Sequence, residues 1–324
     1  MVAVTDGGQR RPIRHLTQRR ARLVAGRLSG AVRSSRFPYR AGRRPAGLEP
    51  APRRHPVGAA YETAWAREWP ARLVRLVAVN TVWRAAVEYF ARPEIAGIDR
   101  LADLDGPAIF AANHHSHADT PLMLTCIPEP WRNKLAIGAA ADYFFASRPA
   151  SFTSALLIGA VPVERNRANR RNIDDLIGLL RDGWSTVLFP EGGRSPDGWG
   201  QEFKGGAAFL AKQSGRPVVP VYVEGTSRIL PKGRTLPRPH SVFLNFGSPL
   251  YFDPHHGHRS FTEELQSRVE ALADETASDW WRSRQRLHAG RTPSLQGPSQ
   301  AGAWRRSWAL GARQARRRRT WPKV

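Results

Sequence analysis

Ala108-Ile109-Phe110-Ala111-Ala112-Asn113-His114-His115-Ser116-His117-Ala118-Asp119-Thr120-Pro121 passes from an unbroken apolar run, through a histidine-rich stretch, to a proline. An apolar run of this length bounded by turn residues reads as a strand buried on both faces, over 108–112. Proline fits the first turn of a helix, where its missing N–H costs nothing, so a helix is expected over 121–127. The polar stretch between them is then a loop leaving the end of a buried strand.

The same alternation continues outward. Short apolar runs at 135–139, 160–163, 186–189, 218–223 and 242–246 read as further strands, and the segments 170–181, 206–214 and 261–281 carry helical spacing. Strands alternating with helices imply an α/β fold, a single layered domain whose mostly parallel sheet is flanked by helices. Upstream, Leu73, Leu76, Val77, Trp83, Val87 and Phe90 recur at three- and four-residue steps over 70–91, and Pro93 ends the pattern. Such a stripe either packs on the domain or lies at a membrane interface, where the flanking arginines and Trp83 and Tyr89 suit the headgroup zone. The domain reading is a basic arm over 1–57, an amphipathic helical segment over 58–100, the catalytic domain over 101–285 and a basic tail over 286–324.

Charge is unevenly placed along the 324 residues. Residues 1–57 hold 14 Lys and Arg against 2 Asp and Glu, and residues 282–324 hold 12 against 0, so the ends carry the net excess of +23. Both ends are rich in Arg, Pro, Gly and Ser without apolar periodicity, a composition that predicts disorder. Tails of this kind attract polyanions. An anionic membrane surface is the partner expected here, with Trp304 and Trp308 beside Arg305 and Arg306 suited to it; nucleic acid is not. A single cysteine, Cys126, excludes an internal disulfide framework and a cysteine-based zinc cluster, and fits a reducing cytoplasm. No cleaved leader is expected, and no apolar stretch reaches the ~18 residues of a membrane-spanning helix.

His114 and Asp119 offer a base and an orienting acid five positions apart. In an unbroken helix that spacing sets two side chains about 140° apart. They can meet only if His114 lies in the loop and Asp119 at the mouth of the following helix. The other reading of Asp119 is a plain N-cap. Further on, Phe189-Pro190-Glu191-Gly192-Gly193-Arg194-Ser195 carries an acid and an arginine around two glycines, and Lys204 precedes Gly205-Gly206 at a helix start. Glycines admit a ligand close to the backbone, and a guanidinium grips a phosphate in two places at once.

These two blocks, with Gly159-Ala160-Val161-Pro162-Val163-Glu164-Arg165 and Val218-Val219-Pro220-Val221 between and after them, resemble the lysophospholipid and glycerol-phosphate acyltransferase superfamily, of the PlsC-type domain. That superfamily reads NHxSxxD and FPEGTRS at the outer blocks. Gly193 stands here where threonine is usual, and Glu164 where aspartate is common. The resemblance implies a glycerol-phosphate acyltransferase-like fold and an enzyme of phospholipid biosynthesis. It implies His114 and Asp119 as catalytic residues, and Arg165, Glu191, Gly192 and Arg194 as acceptor-binding residues; Lys204, read from its place at a helix N-terminus, adds a second charge to that set. Glu191 fits this set least easily, since an acid repels phosphate. The expected reaction moves a fatty acyl group from acyl-CoA or acyl carrier protein, as co-substrate, to a lysophospholipid hydroxyl, with 1-acylglycerol-3-phosphate the first choice. No metal and no bound cofactor are implied, and the expected location is peripheral, on the cytoplasmic face of the cell membrane.

Two other readings use the same residues. His115-Ser116-His117-Ala118-Asp119 matches the HxHxD part of a metallo-β-lactamase-type hydrolase, but Thr120 stands where a third ligand histidine is needed, and no histidine follows His117 until His240. A non-enzymatic lipid- or nucleic-acid-binding protein would use the tails and leave all four blocks without a task.

Overall fold

Among the described residues, seven strands form one sheet: β1 (Pro93–Ala96), β2 (Ile109–Ala112), β3 (Leu135–Ala140), β4 (Ala160–Val163), β5 (Ser185–Leu188), β6 (Val218–Glu224) and β7 (Val242–Phe246). The structure is a computed structural model and describes residues 58–164, 170–195, 198–231, 234–255 and 257–296. The strand order is β1-β7-β6-β2-β5-β3-β4. Every pair is parallel except β6 with β7, so the sheet is mostly parallel as the alternating pattern predicts. Helices α1 (Trp69–Ala78), α2 (Arg84–Phe90), α3 (Asp119–Cys126), α4 (Ala141–Phe144) and α5 (Arg148–Ile158) come first. They are followed by α6 (Arg170–Arg181), α7 (Gly206–Ser214), α8 (Thr226–Ile229), α9 (His258–Ala277) and α10 (Trp280–His288).

β2 is central, and all four of its residues are buried. Phe110 and Ala112 enter the hydrophobic cluster on one face, with Leu122, Ile137 and Phe246, whereas Ile109 and Ala111 enter the other, with Leu176, Leu210 and Leu265. Period-two alternation explains the split, and burial on both faces explains why the run reads as continuously apolar. Strands β2 to β6 run the same way, so their C-terminal ends meet at one edge, the edge at which open α/β sheets hold ligands.

Three elements differ from the sequence reading. Pro93 ends a helix as expected, yet it also opens β1, which pairs with β7 from within the stretch 58–100. The long C-terminal helix breaks at Ser278, because Asp279 accepts the Arg282 N–H at 2.8 Å and caps a new helix. Residues 286–296, read as the start of the tail, include Leu295, whose carbonyl accepts the Gly200 N–H at 2.9 Å.

The stripe over 70–91 is cut in two. A π-helical turn at Val79–Trp83 separates α1 from α2, with the Asn80 amide donating to the Leu76 carbonyl at 2.9 Å and the Thr81 hydroxyl to the Val77 carbonyl at 2.7 Å. Side chains that compete for helix carbonyls favour such a turn, and the extra residue rotates the helix face. Val87 is consequently buried, while Leu73, Leu76 and Val77 are exposed by 46%, 40% and 55%. On α1 it is Arg75 that points inward. It donates to the Ala66 carbonyl at 3.1 Å, lies 5.9 Å from the Trp184 ring, and is brought down to a pKa of about 10 by burial and by Arg67 and Arg72.

Candidate active site

Asn113 is the last residue of the sheet edge before the loop turns. Its amide donates to the Val223 carbonyl at 2.8 Å and accepts the Val223 N–H at 2.7 Å, extending the β2–β6 ladder with a side chain. That clamp fixes where His114 begins. Three residues on, buried Ser116 donates its hydroxyl to the Leu230 carbonyl at 2.9 Å and accepts the Ala118 N–H at 3.1 Å, tying the loop to the end of α8.

α3 starts at Asp119, the register needed for the acid to face back into the loop. Asp119 Oδ2 lies 2.8 Å from His114 Nδ1 and accepts the backbone N–H groups of His115 and Ser116 at 2.8 and 2.9 Å. The carboxyl is fully buried. Burial alone would raise its pKa, but the His114 ring, the nearby Thr226 hydroxyl and the Ser116 N–H outweigh that and hold it below the usual range. Asp119 therefore stays ionised, and it does the work of a loop anchor and an orienter together. The carboxylate fixes His114 with Nδ1 engaged, leaving Nε2 as the nitrogen available to a substrate. Phe189 stacks on the imidazole with ring centres 4.1 Å apart, which limits rotation of the ring.

The second block arrives on the loop after β5. Glu191 is buried: Oε1 accepts the His114 N–H at 2.9 Å and Oε2 the Gln201 N–H at 3.1 Å. Its carboxylate is thus committed to the backbone of two loops, and Glu191 is absent from the cavity wall on which the resemblance put it. Burial raises its pKa to about 7, opposed by the two N–H groups and assisted by Asp119. Ser195 adds a third tie by donating its N–H to the His114 carbonyl at 2.9 Å.

A cavity of about 570 Å³ opens beside His114. Its wall is apolar along Ile137, Ala139, Val163, Ile173, Leu176 and Leu188, with Gly192, Gly193 and Lys204 near the loop. Gly192 has φ +71°, a conformation that favours glycine, and a Cβ there would fall 2.7 Å from Lys204 Nζ, so glycine leaves the lysine room to cross at this point. Gly192 and Lys204 therefore lie side by side on the cavity wall. The Arg194 guanidinium lies 5.9 Å from the centre of the Tyr143 ring and does not line the cavity. Arg165 lies outside the described residues, as do the 1–57 arm, Trp304 and Trp308.

Sequence reasoning missed Asn113, Ser116, Thr226 and Tyr143. The first two sit inside the quoted motif, but their partners are backbone groups more than a hundred residues away. Among the described residues, no group of three or more His, Cys, Asp or Glu is placed to hold a metal ion. His115, His117 and Asp119 of the HxHxD stretch form no such group, and Asp119 Oδ2 is engaged by His114 and two backbone N–H groups.

The family model described as Acyltransferase matches residues 92–224, which run from β1 to the end of β6 and hold both blocks. The protein named 1-acyl-sn-glycerol-3-phosphate acyltransferase LPAT1, chloroplastic, of Arabidopsis thaliana is 31% identical over 210 residues, 60% of this chain and 53% of that protein. The one named BAT2, chloroplastic, of Brassica napus is 31% identical over 165 residues, 48% of this chain and 44% of its own length. The chain thus spans about half the length of these relatives. The crystal structure of the 1-acyl-sn-glycerophosphate acyltransferase PlsC from Thermotoga maritima superposes with a TM-score of 0.54 at 26% identity, covering 65% of this chain and 82% of that one. Sequence and fold agree: residues 92–224 match the acyltransferase family model, and the chain is similar to proteins named 1-acyl-sn-glycerol-3-phosphate acyltransferases.

Proposed function

We propose that this protein acylates a lysophospholipid in phospholipid biosynthesis, taking the acyl group from acyl-CoA or acyl carrier protein and delivering it to 1-acylglycerol-3-phosphate. The observation that carries the reading is the His114–Asp119 contact of 2.8 Å on the wall of an apolar cavity of about 570 Å³. A site of this size suits a chain-like apolar ligand next to a polar reacting centre. An alcohol is a poor nucleophile at neutral pH and needs a base to take its proton. His114 Nε2 takes that proton as the acceptor oxygen attacks the thioester carbonyl. Asp119 supports the imidazolium that results. The C–S bond then breaks, and the proton passes from His114 to the leaving thiolate. Lys204 and the backbone at Gly192 and Gly193 lie on the same wall, where they favour negative charge on the carbonyl oxygen or on the acceptor phosphate.

Attachment to a membrane belongs to the same reading. No helix among the described residues is long and apolar enough to cross a bilayer. α1 turns Trp69, Leu73, Val74 and Val77 to solvent and an arginine to the interior, a reversal that suits a helix lying in the headgroup layer. The cytoplasmic face of a cell membrane is the proposed location, and no metal or bound cofactor takes part. Incubating the purified protein with acyl-CoA or acyl carrier protein and 1-acylglycerol-3-phosphate, and following phosphatidate by mass spectrometry, tests the function. Absence of product with every donor would overturn it.

A further inference from the structure

Three loops at the C-terminal edge of the sheet meet around one exposed aromatic ring. Tyr143, on the short α4 after β3, is 52% exposed. The His117 ring from the loop after β2 stacks on it, with centres 4.8 Å apart and planes inclined by 26°. Arg194, from the loop after β5, sets its guanidinium 5.9 Å from the same ring centre. Phe144 meets Tyr143 edge-on at 5.1 Å and His117 at 6.0 Å, and Phe144 itself lines the cavity beside His114. The cluster thus joins the His114 loop, the cavity wall and the arginine-bearing loop.

An arginine on a loop has many rotamers, and a phosphate gains from two parallel N–H···O bonds only when the guanidinium plane is set beforehand. A tyrosine face supplies that setting: its quadrupole attracts the cation, and its flat surface fixes the plane while leaving the guanidinium edge open. His117 fills the other requirement by stacking on Tyr143, whose half-exposed ring would otherwise be free to swing. We propose that Tyr143, steadied by His117, is the positioning residue that holds Arg194 for the phosphomonoester of the acyl acceptor, and so sets the preference for a phosphorylated acceptor. The proposal rests on the acyltransferase reading and adds two residues to it.

Turnover is measured with 1-oleoylglycerol-3-phosphate and with 1-oleoylglycerol, which lacks the phosphate, in wild type, Tyr143→Ala, Tyr143→Phe, His117→Ala, Arg194→Ala and the Tyr143→Ala/Arg194→Ala pair. Loss of a cation–π platform raises the KM for the phosphorylated acceptor about three- to tenfold in Tyr143→Ala, with kcat little changed. His117→Ala moves KM in the same direction by less, and Tyr143→Phe, which keeps the ring face, matches wild type. In the Arg194→Ala background the Tyr143 substitution adds nothing, because the group it positions is gone. An unchanged KM in Tyr143→Ala overturns the proposal, as does a loss of equal size in the Arg194→Ala background or with the phosphate-free acceptor. Wild-type inactivity on both acceptors sinks the acyltransferase reading instead. In that event calorimetric binding of 1-oleoylglycerol-3-phosphate, which needs no turnover, still decides: binding must depend on the phosphate and weaken in Tyr143→Ala, and its failure to do so overturns the proposal.

Discussion

At the scale of single residues the site depends on two buried acids with opposite perturbations. Asp119 is held ionised by the ring and the N–H groups around it, whereas Glu191 is lifted to about 7 by burial. Replacing His114 by alanine removes the proposed general base and is expected to lower turnover on the order of a hundredfold to ten-thousandfold with the fold intact, checked by steady-state assay beside circular dichroism. Asp119→Asn should fail comparably, through loss of orientation, and should also soften the loop that its carboxylate caps. Glu191 has a raised folded pKa, so the folded protein binds its proton more tightly than the unfolded chain does. Its contribution to stability therefore falls as pH rises from the ordinary carboxylate value of 4.5 toward about 7. Denaturant melts of wild type and Glu191→Gln across that window should show a difference that shifts against wild type as pH increases; a constant difference would show that Glu191 does not titrate there. The motif letters His114 and Asp119 were legible in the sequence because a histidine ring and a carboxylate that must meet across a loop fix both identity and spacing. Glu191's part was not, since its partners are N–H groups that every residue carries.

Among the elements, α1 is the one whose faces are reversed. Leu73 and Val77 are half exposed on it and Arg75 is buried, so polar substitutions of the two apolar residues should leave the melting temperature unchanged. Leu73→Asp with Val77→Asp is expected to weaken sedimentation with lipid vesicles, and undiminished binding would remove α1 from the membrane contact. Periodicity alone could not foresee this. It locates a stripe but does not say which side of the helix meets the protein, and the π-helical turn at Val79–Trp83 breaks the register between the two halves. The buried central strands were legible for the opposite reason: cover on both faces demands an unbroken apolar run. β1 escaped notice because Pro93-Glu94-Ile95-Ala96 is short and only partly buried at the sheet edge. α5 escaped because its start rests on a cap, the Ser147 hydroxyl accepting the Ala150 N–H at 3.4 Å, and its faces are weakly contrasted.

Taken whole, the chain sets a central region of nearly balanced charge between strongly basic ends. The proposed membrane attachment has two modes, and salt distinguishes them, since screening weakens charge attraction and leaves apolar burial in place. Full-length protein should lose part of its binding to anionic vesicles at high salt. A fragment of residues 58–296, extended to 296 to retain the Gly200–Leu295 contact, should bind less at low salt and change little as salt rises. Equal binding by both in all conditions would make the ends passive. β1 pairs only with β7 among the described strands, so the earliest strand of the sheet waits during synthesis for the last. β2, likewise, receives its two neighbours β5 and β6 only after some seventy to a hundred further residues have been made. A growing chain halted before residue 218 has no β6 for Asn113 to grip and no Thr226 beside Asp119, so His114 acquires its setting only late in translation.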